Sequence, residues 1–285
     1  MGSPVILASV ASCIVVLVTH FALAMVPRLL PSISFLAMLP IAAVVLVATH
    51  TVAGCGRGLL RVKASAPAMV FGHILFLWGV HIAVIRYEEI STLLDASLNI
   101  ECILLLIGLY KIVSCDPGVV AVDSTCSEVL DEVDSSQLGP HYKGSPCFSR
   151  IRHCSSCKRN VMGYDHHCPA FGNCIGQKNH YLFMTLVFGF IITEATYTMC
   201  STQYMTLLLG TQRLSLETNQ FKDLVISTML FSLLQVVWQV LFLTWHMYCI
   251  CCNIKTEEWI NWTKYSEFQI LAQPLPGSLI KMSLN

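Results

Sequence analysis

Between His153 and Cys174 the chain reads H-C-S-S-C-K-R-N-V-M-G-Y-D-H-H-C-P-A-F-G-N-C, four cysteines and three histidines in twenty-two residues. Two kinds of chemistry are written in that spacing. Cys154 and Cys157 form a C-x2-C knuckle, whose tight turn lets both sulfurs reach one ion, and His167 and Cys174 can close a Cys3His tetrahedron for structural zinc. Cys168 is then left over. It sits beside a ligand, follows a histidine that can accept its proton, and is preceded by a carboxylate, Asp165, that can orient that histidine. This is the nucleophile, base and orienter arrangement of covalent catalysis. An unassisted thiol, with a pKa of about 8.5, is mostly protonated at neutral pH, so a base next to it matters. On spacing alone both readings stay open, metal ligation throughout or metal ligation beside a nucleophile.

The elements that must position this island are membrane spans. Of the 285 residues 55% are hydrophobic and 12% charged, against ~25% charged in a typical soluble domain. Six apolar segments are long enough to cross a bilayer: roughly Val5–Val26, Ser32–Ala53, Pro67–Ile85, Leu98–Val113, Tyr181–Met205 and Leu224–Ile250. The first has no charged leader before it and is read as a retained helix rather than a cleaved signal. The fourth is the weakest, with Glu101 at its start and Lys111 snorkelling at its end. Seventeen basic and seventeen acidic residues cancel, which gives no case for nucleic-acid binding. Fourteen cysteines, four of them clustered with histidine, favour ligation or catalysis in a reducing compartment over a disulfide framework.

The predicted fold class is therefore an all-α integral membrane protein, about six transmembrane helices with a small cytosolic zinc-binding Cys/His-rich domain between spans four and five. Residues 1–115 hold four helices, 116–180 a linker and the Cys/His-rich domain, 181–252 two helices, and 253–285 a C-terminal tail. Basic residues set the orientation. Arg57, Arg61 and Lys63, the island with its approach (Lys143, Arg150, Arg152, Lys158, Arg159, Lys178) and the tail (Lys255, Lys264, Lys281) share one side, read as cytosolic. The opposite loops hold only Arg28, Arg86, Arg213 and Lys222. The linker from Asp123, D-S-T-C-S-E-V-L-D-E-V-D-S-S, has five acids and no base and is expected to be solvated and mobile.

Asp165-His166-His167-Cys168 followed by Pro169, with the knuckle upstream and Cys174 downstream, resembles the signature of the DHHC family of protein S-acyltransferases (palmitoyltransferases). Asn179 and Phe183 fit it too. Asp116-Pro117-Gly118 resembles the family's D-P-G motif, and Lys255-Thr256-Glu257-Glu258 its T-T-x-E motif with the first Thr replaced. The resemblance implies a membrane-embedded enzyme working through a thioester. Cys168 would take a fatty acyl group from acyl-CoA, the co-substrate, and pass it to a cysteine of a membrane-associated protein. His166 would be the general base, Asp165 its orienter, and His167 a zinc ligand with Cys154, Cys157 and Cys174. It implies a multi-pass protein of the endomembrane system (Golgi or ER) or the plasma membrane, an acyl cavity between helices, and Lys178, Arg159 and Arg152 as candidate contacts for CoA phosphates.

The chain departs from the family at a second zinc site. His153 is present, but the other three ligand positions fall at Pro140, Lys143 and Asn160, so one structural zinc is expected rather than two. Ala170 stands where most relatives carry Trp. The alternative function class is a catalytically impaired or non-enzymatic zinc-knuckle membrane adaptor. Elsewhere, Glu194 lies about thirteen residues into the fifth span, or ~20 Å deep at 1.5 Å per residue. It is expected to be a neutral carboxyl hydrogen-bonded among Thr193, Thr196, Tyr197 and Thr198. His20, His50, His73 and His81 are read as packing residues. Gln235, Trp238 and Gln239 are expected to bond between helices. Cys249, Cys251 and Cys252 are juxtamembrane candidates for S-acylation. Trp259, Trp262, Tyr265 and Phe268 suggest a surface helix.

Overall fold

The computed structural model describes residues 2–60, 65–87, 90–120, 150–210 and 216–264. Six helices in it are long and apolar enough to cross a membrane, so the chain is a multi-pass membrane protein. In order they are α1 (Gly2–Leu29), α2 (Phe35–Leu60), α3 (Ala66–Ala83), α4 (Thr92–Ser114), α5 (His180–Gly210) and α6 (Leu216–Cys251). A backbone in hydrocarbon must satisfy its own polar groups, and a helix does so within one segment. The fourth span is not short. It runs for 23 residues, because Asp95, Asn99 and Glu101 find partners inside the bundle: Trp78 Nε1 donates to Asn99 Oδ1 at 2.8 Å, and Thr196 Oγ1 to Glu101 Oε1 at 3.2 Å.

Local chemistry sets the helix ends. Ser65 caps α3 by accepting from the Ala68 N–H at 3.3 Å, and Pro67 sits at the first turn, where a missing N–H costs nothing. Ser12 of α1 bonds both the Ser65 carbonyl and the Ser65 N–H at 2.9 Å, which fixes the start of α3 against α1. Leu23, Leu77, Leu98, Tyr197, Leu230 and Phe231 belong to one buried cluster between the helices. α5 packs on α4 and α6, and α1 on α2, α3 and α6.

The histidines do more than pack. His81 Nε2 lies 2.8 Å from Asp95 Oδ1, and His20 Nε2 lies 3.1 Å from His73 Nδ1. The expectation for Glu194 also changes. Thr196 bonds Glu101 instead, Tyr197 bonds Thr228 at 2.7 Å, and Thr198 bonds only the Glu194 backbone carbonyl. Glu194 Oε2 is buried with no partner among the described residues. Gln239 Oε1 is likewise buried without one, and Trp238 is exposed; neither makes the expected bond between helices.

The island between α4 and α5 adds five short strands, β1 (Val119–Val120), β2 (Ile151–Cys154), β3 (Arg159–Met162), β4 (His166–Cys168) and β5 (Asn173–Ile175). They form an antiparallel sheet in the order β1-β3-β2 and a separate β4-β5 pair. A five-residue helix, α7 (Thr256–Ile260), and a 3-10 turn (Trp262–Lys264) follow α6. The acidic linker, Pro140, Lys143, Tyr265 and Phe268 lie outside the described residues.

Candidate active site and metal centre

The knuckle turn places Cys154 at the end of β2 and Cys157 in the turn after it, with Lys158 in a left-handed conformation (φ 52°) that reverses the chain. The β4-β5 ladder sets His167 opposite Cys174. Together these bring the ligand atoms of Cys154, Cys157, His167 and Cys174 within 4.8 Å of one another. His167 Nδ1 lies 3.4 Å from Cys157 Sγ and 3.8 Å from Cys174 Sγ. A tetrahedral ion with Zn–S of about 2.3 Å and Zn–N of about 2.0 Å needs an S–N edge of about 3.5 Å, so the cluster fits zinc in donor set and size. Burial opposes ionisation of Cys154, but the N–H groups of Cys157 and Ser156 hold its thiol below the usual range. Burial and the neighbouring His166 keep His167 below its ordinary value, neutral as a ligand must be.

His153 stands apart. It is exposed on β2 opposite Asn160 of β3, and its Nδ1 lies 3.1 Å from Asn160 Oδ1. The side chain at a missing ligand position thus pairs with the remaining histidine.

Cys168 ends β4 beside that cluster, buried at 7% exposure. Next to it His166 Nδ1 lies 2.7 Å from Asp165 Oδ2. Asp165 is 2% exposed, and its surroundings come from 91 residues away. Thr256 donates its N–H to Oδ1 at 3.0 Å and its hydroxyl to Oδ2 at 2.8 Å. The Glu257 N–H bonds the Asp165 carbonyl at 2.9 Å. Burial opposes the Asp165 charge, yet the bonds from His166 and Thr256 outweigh it and hold the carboxyl well below the usual carboxylate range. Burial likewise opposes a charge on His166, but Asp165 and the Cys168 thiol raise it to about 9.

The N-terminus of α7 is therefore part of the site, and a second tier holds α7. Arg150 Nε lies 3.0 Å from Glu258 Oε1. Its Nη atoms donate to Asn253 Oδ1 and the Asn253 carbonyl at 2.8 and 2.7 Å. Glu258 Oε2 accepts the Lys255 N–H at 2.9 Å, completing the α7 cap. Arg150 and Asn253 both adopt left-handed backbone, φ 76° and 51°, so each spends conformational energy to reach the other.

The D-P-G stretch docks the island on α4. Asp116 Oδ1 accepts from the N–H groups of Gly118 and Val119 at 2.9 and 2.8 Å, and Lys178 Nζ lies 2.7 Å from Oδ2. Those bonds hold the Asp116 carboxyl well below its ordinary range. Asn173 Nδ2 donates to the carbonyls of Ile112 and Cys115 at 2.9 Å, closing the end of α4. Gly176 packs directly against the Pro117 carbonyl and Val161, where any β-carbon would collide. Of the candidate phosphate contacts, Lys178 is occupied by Asp116, and Arg152 Nε lies 3.9 Å from Glu257.

Below Cys168 runs an apolar path. Cys168, Phe171, Phe183, Ile112, Leu109, Leu105 and Ile74 belong to one buried cluster. Ile74 and Leu105 also line a narrow cavity between α3, α4 and α5, which continues past Trp78 and Cys102 to Thr193, Glu194 and Tyr197.

Sequence reasoning gathered the four ligands and the Asp165–His166–Cys168 run. It missed Arg150, Asn253 and Asn173, and saw Thr256 and Glu258 only as a motif. The one signal for Arg150 was the basic character of the approach to the island.

Comparison with known proteins agrees with this geometry. Residues 144–263 match the family model for DHHC palmitoyltransferase. Palmitoyltransferase akr1 of Schizosaccharomyces pombe is 35% identical over 110 residues, 35% of this chain and 16% of that protein. Palmitoyltransferase ZDHHC18 of Mus musculus is 31% identical over 153 residues, 46% of this chain and 39% of that protein. Palmitoyltransferase ZDHHC18-B of Danio rerio is 25% identical over 262 residues, 79% of this chain and 66% of that protein. The chain thus spans less than two thirds of the curated relatives it matches, and the stretch similar to the DHHC palmitoyltransferase model runs from the Cys/His island through α5 and α6 to the short helix α7 and the turn after it.

Proposed function

We propose that the protein is a protein S-acyltransferase that moves a fatty acyl (palmitoyl) group from acyl-CoA to cysteines of membrane-associated proteins. The observation that carries this is an Asp165–His166 pair at 2.7 Å with its carboxylate buried, set beside a buried cysteine that belongs to an apolar cluster reaching into the helix bundle. In the first half-reaction Cys168 Sγ attacks the acyl carbonyl, and its proton passes to His166. The bond to the CoA sulfur breaks, and His166 returns the proton to that sulfur. In the second half-reaction the acceptor thiol gives its proton to His166 and attacks the Cys168 thioester. Cys168 leaves as thiolate and is reprotonated. A histidine raised as His166 is takes a thiol proton readily, and Asp165 fixes the ring with Nε2 free for the sulfur.

Zinc held by Cys154, Cys157, His167 and Cys174 would supply folding free energy to the strand that carries Cys168. The catalytic face lies on the cytosolic side, where basic loops gather and thiols stay reduced. The acyl chain follows the apolar cluster, and the polar end of its cavity limits chain length. Glu194→Leu should shift preference toward longer acyl-CoAs, and an unchanged preference removes that assignment.

The test is labelling. Purified protein incubated with radiolabelled palmitoyl-CoA should acquire hydroxylamine-sensitive label, and Cys168→Ser should acquire none. An unlabelled wild type, or equal labelling of Cys168→Ser, would leave the adaptor reading in its place.

A further inference from the structure

The seam between α3 and α4 is apolar near the island and polar at its far end. Ile74 of α3 belongs with Leu105, Leu109 and Ile112 of α4 to the buried cluster that holds Cys168. At the far end two side-chain bonds cross the seam. Trp78 Nε1 donates to Asn99 Oδ1 at 2.8 Å, and His81 Nε2 lies 2.8 Å from Asp95 Oδ1. The α4 partners are joined in turn, because Asn99 Nδ2 donates to the Asp95 carbonyl at 2.7 Å and to Asp95 Oδ1 at 3.2 Å. Arg86 Nε lies 3.5 Å from Asp95 Oδ2 and closes the group on its exposed side. Among the described residues no other side-chain hydrogen bond joins α3 to α4.

The cavity along this seam is narrow. Its volume is about 20 Å³, with Ile74 and Leu105 toward the island and Trp78, Leu98 and Tyr197 at the far end. That is room for about one water, not for a fatty chain. A chain that starts on Cys168 must therefore make its own room by parting α3 from α4. Near the island, methylenes replace apolar contacts like for like. The far bonds resist, since breaking them leaves polar groups without partners where hydrocarbon offers none. The seam opens as far as the first of these bonds and stops at Trp78. Tyr197, the other aromatic at that end, is fixed in the same manner by its bond to Thr228 of α6 at 2.7 Å. Pro67 of α3 packs against Gly172 in the turn after Cys168. Trp78 lies eleven residues further along α3, or ~16 Å at 1.5 Å per residue.

We propose that Asn99 and Asp95 clasp α3 to α4, and that Trp78, held by this clasp, sets how far an acyl chain runs from Cys168. Trp78 is the side chain that the chain end meets. Asn99 is a positioning residue that acts through it. This rests on the acyltransferase reading and deepens it: donor length is read by a hydrogen bond between α3 and α4, on different helices from Glu194. Loss of the clasp changes which donor is used, with little effect on a donor that already fits.

The experiment follows acylation of Cys168 in single turnovers, in full-length detergent-purified protein, with palmitoyl-CoA and with the longer arachidoyl-CoA. Wild type should favour palmitoyl. Asn99→Leu removes the acceptor, and Trp78→Phe removes the donor but keeps a ring. Each should raise the arachidoyl-to-palmitoyl rate ratio about tenfold, with the palmitoyl rate close to wild type. The double variant should match the single ones, because either change alone already breaks the bond. Thermal transitions are read in parallel, and Trp78→Phe, which leaves Asn99 bonded to Asp95, carries the test alone if Asn99→Leu does not fold. A ratio unchanged in Trp78→Phe would overturn the proposal, as would shifts that multiply in the double variant or a wild type that takes both donors equally. If wild type takes label from neither donor, the acyltransferase reading has failed, an outcome distinct from an unchanged ratio.

Discussion

The two lobes of the Cys/His island reach the same end by different means. The second lobe, β4 and β5, closes on the knuckle through four ligand atoms within 4.8 Å. The first lobe, β1, β3 and β2, lends that cluster Cys154 and Cys157 from its own hairpin, while its remaining histidine, His153, faces Asn160 across the ladder at 3.1 Å. Its anchor is Arg150, which reaches across 103 residues to Asn253 and ion-pairs with Glu258. Metal ligation is strong, local and intolerant of substitution, whereas an arginine fork is weaker but couples distant segments. Here the fork ties the lobe to the helix whose Thr256 holds Asp165. That lobe is thus joined to the Asp165 carboxylate by ordinary hydrogen bonds.

Perturbing each lobe in turn should separate the two. The largest effect is expected from the ligand cluster. Structural zinc sites supply roughly 10 kcal/mol or more of apparent binding free energy, so Cys174→Ser or chelation should unfold the second lobe and abolish acylation. Loss of thermal transition and label together is the readout; a folded, active Cys174→Ser would show that the lobe needs no metal.

Next comes the fork. Glu258 is 6% exposed and Arg150 partly so, so Arg150→Ala should cost roughly 1–3 kcal/mol, less than a fully buried pair. It should lower the acylation rate about tenfold while zinc stays bound. Thr256→Val should match it in rate with a smaller loss of stability, and the double variant should be less than additive because both act through α7. Strict additivity would sever Arg150 from the active site.

Docking on α4 is a smaller term. The Asp116 carboxyl is depressed by Lys178 and the Gly118 and Val119 N–H groups, so its contribution is fully present above an ordinary carboxylate value of about 4 and is lost as pH falls from there through the lower folded-state value. Asp116→Asn should remove that share of the acid sensitivity of the thermal transition; an unchanged pH profile would take Asp116 out of the docking account. The smallest effect belongs to His153→Ala, within about 1 kcal/mol for one exposed hydrogen bond.

Much of the ligand cluster was legible in the sequence, because its four residues lie within 21 positions of one another and metal spacing is a local property. The spans were legible from hydropathy for the same reason. The first lobe was not. Nothing in the run around Arg150 says that its partner lies beyond the last membrane helix, since that contact exists only once α5 and α6 have returned the chain to the island. The His81–Asp95 pair was hidden likewise: a histidine in an apolar run reads as packing until the facing helix is known. Glu194 shows the reverse. The sequence offered four hydroxyl neighbours, but on a helix most of them point to other partners.

The asymmetry between the lobes reduces to a number of ions. Metal analysis of purified full-length protein should give one zinc per chain, retained in His153→Ala and lost in Cys174→Ser. Two zinc per chain, or a single ion that leaves with His153, would contradict it.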